Sequence, residues 1–254
     1  MTEKQIENGF WVWDKENDFP PDSITFPSQY NGQTKLNVAC TQRSDLTPTQ
    51  QENLVKEWAD FLPSCKNIEL LWFTTTTPQT IFDSACLLHN LVGLNVKNSN
   101  IKSLDNLSKL KKFKYLRIGD SSKIESIEPL QNLTHLEVLV IENFKNISDF
   151  SLLKVLTNLK FLTIEGGMYK KQNVDSIRFL ADLKNLVYLS TAMITSTNKS
   201  VDTVFKLKNL KTLNWAFDLT KPEMETLKQE LPNLKYLPHR HVERNLNKIK
   251  SLFG

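Results

Sequence analysis

The sequence predicts an α/β solenoid: an arc of stacked coils with a concave parallel β-sheet, a 3₁₀ or irregular convex side and helical caps. Three observations predict it. The stretch "HLEVLVIENFKNISDFSLLKVLTNLKFLTI" (135–164) has an apolar residue at almost every third position, and L-x-x-L-x-L patterns at both ends: Leu136, Leu139, Ile141, then Leu159, Leu162, Ile164, with a period of 23. The pattern returns at Ile68/Leu71/Phe73, Leu91/Leu94/Val96, Phe113/Leu116/Ile118, Leu186/Leu189/Thr191, Leu210/Leu213/Trp215 and Leu234/Leu237/His239, making eight copies at spacings of 23, 22, 23, 23, 27, 24 and 24. Between copies, apolar residues fall every third position (Ile101, Leu104, Leu107, Leu110; Ile147, Phe150, Leu153, Leu156). A strand repeats every two residues and an α-helix every 3.6, but a 3₁₀ turn stacks i on i+3. Each copy therefore reads as strand, turn and tight convex return.

Taken in order, residues 1–35 lack the pattern but hold Phe10, Trp11, Trp13, Phe19, Phe26 and Tyr30 around a Pro20-Pro21 break. They are expected to lie as an extended cap over the first coil, because a solenoid exposes its core at both ends unless capped. "LNVAC" (36–40) alternates like a strand. "LTPTQQENLVKEWADFL" then starts a helix with Thr47 as N-cap, Pro48 at the first helical position and Gln50 at N3, and places Leu54, Val55, Trp58, Phe61 and Leu62 on one face. These elements make residues 1–64 an N-terminal cap and 65–240 the solenoid. The inserts "GGMYKKQNVDS" and "AMITSTNKSV" should bulge from two adjacent coils. "LTKPEMETLKQELPNL" repeats the helix-start chemistry with Thr220 and Glu223, and 241–254 spaces Val242, Leu246, Ile249 and Phe253 as an amphipathic closing helix.

These repeats resemble those of the leucine-rich repeat family, and among them the internalin-like class of short, 22-residue repeats. The clearest match is "IESIEPLQNLTHLEVLVI", with Ile124, Ile127, Pro129, Leu130, Leu133 and Leu136. The resemblance covers about residues 65 to 240. The family's asparagine after the strand is not regular here: Ser99, Ser121, Phe144 and Gly167 hold its place. The resemblance implies a non-catalytic recognition module, and no catalytic residues are carried over from it.

Composition sets limits on function. A chain of 254 residues, 40% hydrophobic and 24% charged, can bury a substantial core, and a net charge of +4 is too weak to imply a polyanion partner. No apolar stretch approaches the length of a membrane span, and the N-terminus lacks an export signal, so a cytoplasmic location is expected. Cys40, Cys65 and Cys86 form no CxxC pair and read as reduced, buried thiols.

Function is sought on the concave sheet. The leucines of each pattern point into the coil, so alternation turns the residues between them onto the open face. One outward column reads Leu70, Gly93, Tyr115, Val138, Phe161, Tyr188, Thr212, Tyr236, and the next Trp72, Asn95, Arg117, Val140, Thr163, Ser190, Asn214, Pro238. A third holds Glu142 and Glu165. Trp72, Tyr115, Arg117, Val138, Val140, Glu142, Phe161, Glu165, Tyr188 and Tyr236 are thus the candidate partner-binding residues. Aromatics and arginine dominate interfaces, and a face of about 35 Å suits a protein epitope better than a metabolite. The bland alternative is that aromatics simply favour strands and cover one another laterally.

Other chemistries find less support. Glu142 and Glu165 could form an acid/base pair, but no nucleophile or oxyanion site accompanies them. His239 and His241 share one strand face, yet a zinc site needs three or four ligands. Gly166-Gly167 lacks a phosphate-loop context. No cofactor or metal is expected. The favoured reading is a protein partner held on the concave face of a monomer, as scaffold, inhibitor or neutraliser. The alternative is a nucleic-acid or anion-associated module using "KLKKFKYLR" and "RHVERNLNKIK".

Overall fold

The computed structural model describes residues 20–167 and 170–238, with side chains described to residue 235. Ten strands form one sheet: β1 (Ser23–Ile24), β2 (Lys35–Val38), β3 (Leu70–Thr77), β4 (Gly93–Ser99), β5 (Tyr115–Ile118), β6 (Val138–Glu142), β7 (Phe161–Glu165), β9 (Tyr188–Ser190), β11 (Thr212–Trp215) and β12 (Lys235–Pro238). Every pairing in it is parallel, in chain order. Such order without hairpins requires each strand to return along the opposite side before the next begins.

Register follows the leucines. Leu36, Leu71, Leu94, Leu116, Leu139, Leu162, Leu189 and Leu213 lie opposite one another on successive strands, and none is more than 1% exposed. A one-residue slip would turn this whole file to the other face, so hydrophobic burial pins the pairing. β12 departs from the expected alignment: Tyr236 lies opposite Leu213 and Leu237 opposite Asn214, so Tyr236 does not continue the Thr212 column. This pairing puts Pro238 opposite Trp215 at the strand's end, where a residue without an N–H disturbs the ladder least.

The convex side changes along the arc. In the middle, returns carry 3₁₀ turns at Asp105–Lys109, Glu128–Asn132, Ser151–Val155 and Arg178–Asp182, as the three-residue spacing requires. Toward the ends they become helical: α1 (Pro48–Phe61), α2 (Gln79–Ala85), α3 (Asp202–Phe205) and α4 (Lys221–Glu230). Thr47 and Gln50 close a reciprocal capping box on α1, and Thr220 and Glu223 do the same on α4. α1 buries Leu54 and Trp58, α2 buries Ile81, Phe82 and Ala85, and α4 buries Met224 and Leu227, all in the same core as the leucine file. The Trp58 indole donates to the Thr25 carbonyl at 2.6 Å, tying α1 to the first strand.

Two features were not legible from the repeats. Where the family's asparagine is missing, Ser99 and Ser121 of adjacent coils bond through their hydroxyls at 2.6 Å, and Ser121 Oγ donates to the Gly119 carbonyl at 2.7 Å. In the next coil Phe144 fills the place with no exposure. The inserts do not simply bulge. Gln172–Val174 (β8) and Ile194–Ser196 (β10) pair in parallel as a second, two-stranded sheet. The Gln172 amide donates to the Ile147 carbonyl at 2.6 Å, which anchors it to the solenoid. The closing amphipathic segment 241–254 and His239 and His241 lie outside the described residues, as do Phe10, Trp11, Trp13 and Phe19.

Candidate functional site

The strand pleat puts Trp72, Tyr115, Val138, Val140 and Phe161 on the face away from the leucine file, and there they form a second apolar cluster, distinct from the coil core. Leu70, Val92 and Tyr188 pack against it. All described members therefore come from the strands or from the residue just before one. Phe161 and Tyr188 stack with ring centroids 4.1 Å apart and planes within 5°. Tyr115, Val138 and Phe161 are neighbours on successive strands, so the small valine sits between two rings.

The sequence suggests a face open to water, but this one is closed. Trp72 is 1% exposed, Val138 0%, Phe161 4% and Tyr115 8%. Lateral packing accounts for Val138. Trp72, in register with Asn37 and Asn95, belongs to the same cluster as Leu70 and Val92. Burial also pushes the Tyr115 and Tyr188 phenols above their ordinary pKa, with Glu137 and Glu165 adding to it.

Polar groups border the cluster. Arg117 meets Glu142 at 3.3 Å, each about a quarter exposed. Ser190 donates to Glu165. Glu142 and Glu165 are adjacent in register, but one turns to the Arg117 strand and the other to the Ser190 strand. Their carboxylates are thus engaged on opposite sides, not poised together over a shared proton. The Asn37 amide donates to the Pro21 carbonyl at 2.9 Å, while its Oδ1 and that of Asn95 are buried with no donor among the described residues. Sequence reading passed over them because single asparagines in a strand carry no pattern.

A groove of about 700 Å³ follows the N-terminal ends of β3 to β7, lined by Lys111, Lys112, Lys114, Lys160, His135, Glu69 and Glu137 beside Leu70 and Tyr115. Glu137 bridges Lys114 at 3.0 Å and Lys160 at 2.9 Å across three coils. Burial works against ionisation of Glu137, but the two ammonium groups outweigh it and hold the carboxyl below its ordinary pKa.

No family model matches the sequence, and no curated protein is similar to it. Solved structures are similar in fold. An internalin (InlF) of Listeria monocytogenes superposes with a TM-score of 0.54 at 23% identity, over 70% of this chain and 51% of that one. Internalin C2 of the same organism gives 0.52 at 25%, over 65% and 66%. A leucine-rich repeat protein of Leptospira interrogans gives 0.52 at 20%, over 69% and 44%. The chain thus spans between 44% and 66% of the length of these structures. In-register leucines, an all-parallel sheet, 3₁₀ returns and these neighbours lead to one architecture: the chain is a leucine-rich repeat solenoid.

Proposed function

We propose that this protein is a non-catalytic recognition module that holds a protein partner on its concave face. The observation that carries this reading is the second apolar cluster. Five residues on the outward side of the sheet contribute nothing to the coil core, yet repeat an aromatic or branched choice on β3, β5, β6 and β7. Arg117 and Glu142 supply a polar rim, the arrangement of hot-spot residues ringed by charge that protein interfaces use. We assign the repeats to the internalin-like short class, on spacings that cluster at 22 to 24, and the protein to the cytoplasm, as a monomer.

The test is affinity for the partner recovered by pull-down. Trp72→Ala/Tyr115→Ala/Phe161→Ala should weaken binding by several hundredfold or more, at about 2 kcal/mol per truncated hot spot. The three side chains are themselves buried and each such truncation costs about 3–5 kcal/mol of stability, so the single variants are measured beside the triple and binding is compared only among variants that still melt cooperatively. Lys109→Ala and Gln131→Ala, exposed on the convex returns, should leave binding unchanged. Full binding by a folded triple variant would move the site off the concave face.

One observation favours a second reading. The lysine-lined groove contains the "KLKK" lysines Lys111 and Lys112 together with Lys114 and Lys160, as an anion-binding module would arrange them. Glu137 already neutralises part of that charge. A steep loss of affinity between low and physiological salt would select this reading.

A further inference from the structure

The groove at the N-terminal ends of β3 to β7 lies where a repeated bond of the solenoid is interrupted. The residue just before the first apolar position of a repeat is usually asparagine. Asn67, Asn90, Asn158, Asn185 and Asn209 stand there, and each amide donates to a carbonyl one coil back, on Gly32, Lys66, Thr134, Thr157 and Lys184, at 2.8 to 3.4 Å. Two adjacent coils in the middle break the row: before Phe113 and Leu136 the position holds Lys112 and His135. Lys112 turns its ammonium to the Asn90 side chain at 2.9 Å, and both residues line the groove. A lysine and an imidazole thus stand where the bonding of the other coils uses an amide.

Charge at the groove is unbalanced. The lysines Lys111, Lys112, Lys114 and Lys160 line it against the carboxylates of Glu69 and Glu137. Glu137 is shared by Lys114 and Lys160. Lys111 donates to the Ser108 carbonyl at 2.9 Å and Lys112 to Asn90, both neutral acceptors, and neither lysine is in an ion pair among the described residues. The same groove is lined by Leu70, Val92 and Tyr115, which belong to the concave cluster or pack against it, so groove and cluster form one continuous surface. Four strand spacings from β3 to β7 make the groove about 19 Å long, the span of about six extended residues. A nucleic-acid strand carries charge on every nucleotide and would set phosphates against Glu69 and Glu137 as well as against the lysines. A peptide can place acidic side chains at the lysines and neutral ones at the carboxylates.

We propose that this groove holds an extended acidic segment of the protein partner, with carboxylates on Lys111 and Lys112 and an aromatic or aliphatic side chain against Leu70, Val92 and Tyr115. The inference rests on the reading of the concave face as the partner's site and deepens it: the interface runs over the N-terminal edge of the sheet, and the partner is acidic where it crosses. Charge at such a rim steers encounter and selects among partners.

The full-length protein tests this with a rhodamine-labelled peptide, Glu-Asp-Glu-Phe-Glu-Asp-Glu, read by fluorescence anisotropy at low salt. Binding should saturate, and the uncharged peptide Gln-Asn-Gln-Phe-Gln-Asn-Gln should bind at least about tenfold more weakly. Lys111→Gln/Lys112→Gln should weaken the acidic peptide by about tenfold, the sum of two surface ion pairs. Both lysines are exposed, so the variant should melt like the wild type. Lys199→Gln/Lys206→Gln, which removes the same charge from a separate convex pocket, should leave peptide affinity unchanged. Three results would overturn the proposal: no saturable binding of the acidic peptide, an equal loss from both lysine pairs, or tighter binding of an oligothymidylate of equal charge, which would give the groove to nucleic acid. The probe needs no partner, so its failure leaves the concave-face variants above to decide the functional reading on their own.

Discussion

Leu139 lies opposite Leu116 and Leu162 with no exposure, which makes it a sensitive point in the chain. Leu139→Asp would place a carboxylate among leucines with no donor in reach, a cost of several kcal/mol against a typical total stability of about 5–15. Chemical denaturation should show the variant unfolded or nearly so at room temperature; a wild-type midpoint would mean that the residue does not point inward. Gly119 answers to a different constraint. A Cβ there would stand 2.4 Å from the Lys97 carbonyl oxygen, so the strand corner needs a residue with no side chain. Asp120 in the same corner and Asn143 in the next take positive φ, and the Asn143 amide donates to the Asp120 carboxylate. The thiols behave as buried side chains do: burial raises the Cys40 pKa to about 12 and moves Cys86 the same way. Native protein at pH 8 should therefore leave Cys40 and Cys86 unmodified by a thiol reagent that labels both within minutes after unfolding.

At the scale of elements, the helix caps and the cross-coil bridge make separate predictions. Thr47 accepts from the Gln50 backbone N–H while the Gln50 side chain accepts from the Thr47 N–H, so Thr47→Ala removes one half of a reciprocal cap. A loss of about 1 kcal/mol is expected in a denaturant titration. Glu137 binds the β5, β6 and β7 coils together through Lys114 and Lys160. Its pKa is lowered by folding, so the folded state holds its proton less tightly than the unfolded chain does. The stabilisation is present above the unfolded carboxyl value of about 4.3 and is lost as pH falls through the lower folded value. Both lysines are about half exposed, so solvent screening limits the effect to at most about 1 kcal/mol. Glu137→Gln should lower stability at pH 7 by that amount and converge with wild type near pH 3; an equal gap at both pH values would show that the ion pairs contribute nothing.

At the scale of the whole molecule, each coil touches only its neighbours, and the end coils must be shielded from water. β2 and α1 supply this at one end: Leu36, Val38, Leu54, Trp58 and Leu62 all join the core that continues through the leucine file. Removing residues 1–62 would strip that layer from Leu71, Phe73, Ile81 and Phe82. The truncated chain should aggregate or lose its cooperative melting transition, as read by calorimetry. A soluble truncation with a sharp transition would show that the β3 coil closes the solenoid unaided. The molecule also has two apolar layers separated by the sheet: the leucine file fills the coils, and the Trp72–Phe161 cluster packs across neighbouring strands on the other face. Damage to the leucine file should therefore appear in melting curves alone, and damage to the buried Trp72–Phe161 cluster in both melting and binding.

The sequence alone determined where the strands lie, which residues face inward, how the middle coils return and where α1 and α4 begin. Each of these follows from local geometry: a strand alternates, a 3₁₀ turn repeats every three residues, and a cap needs Thr and Gln or Glu three apart. Leu71 and Leu213 could be aligned 142 residues apart because every intervening coil imposes the same choice. Tertiary structure decided what no single coil specifies. The one-residue offset of β12, the β8–β10 ladder between two inserts, the Ser99–Ser121 bond in place of asparagines, and the helical returns α2 and α3 all arise from contact between neighbouring coils. The burial of the Trp72–Phe161 cluster is likewise set by packing between coils. The pleat fixed that Trp72 and Phe161 face outward, but whether water, a partner or a distant part of the chain meets them is a matter of three-dimensional packing, which no periodicity records.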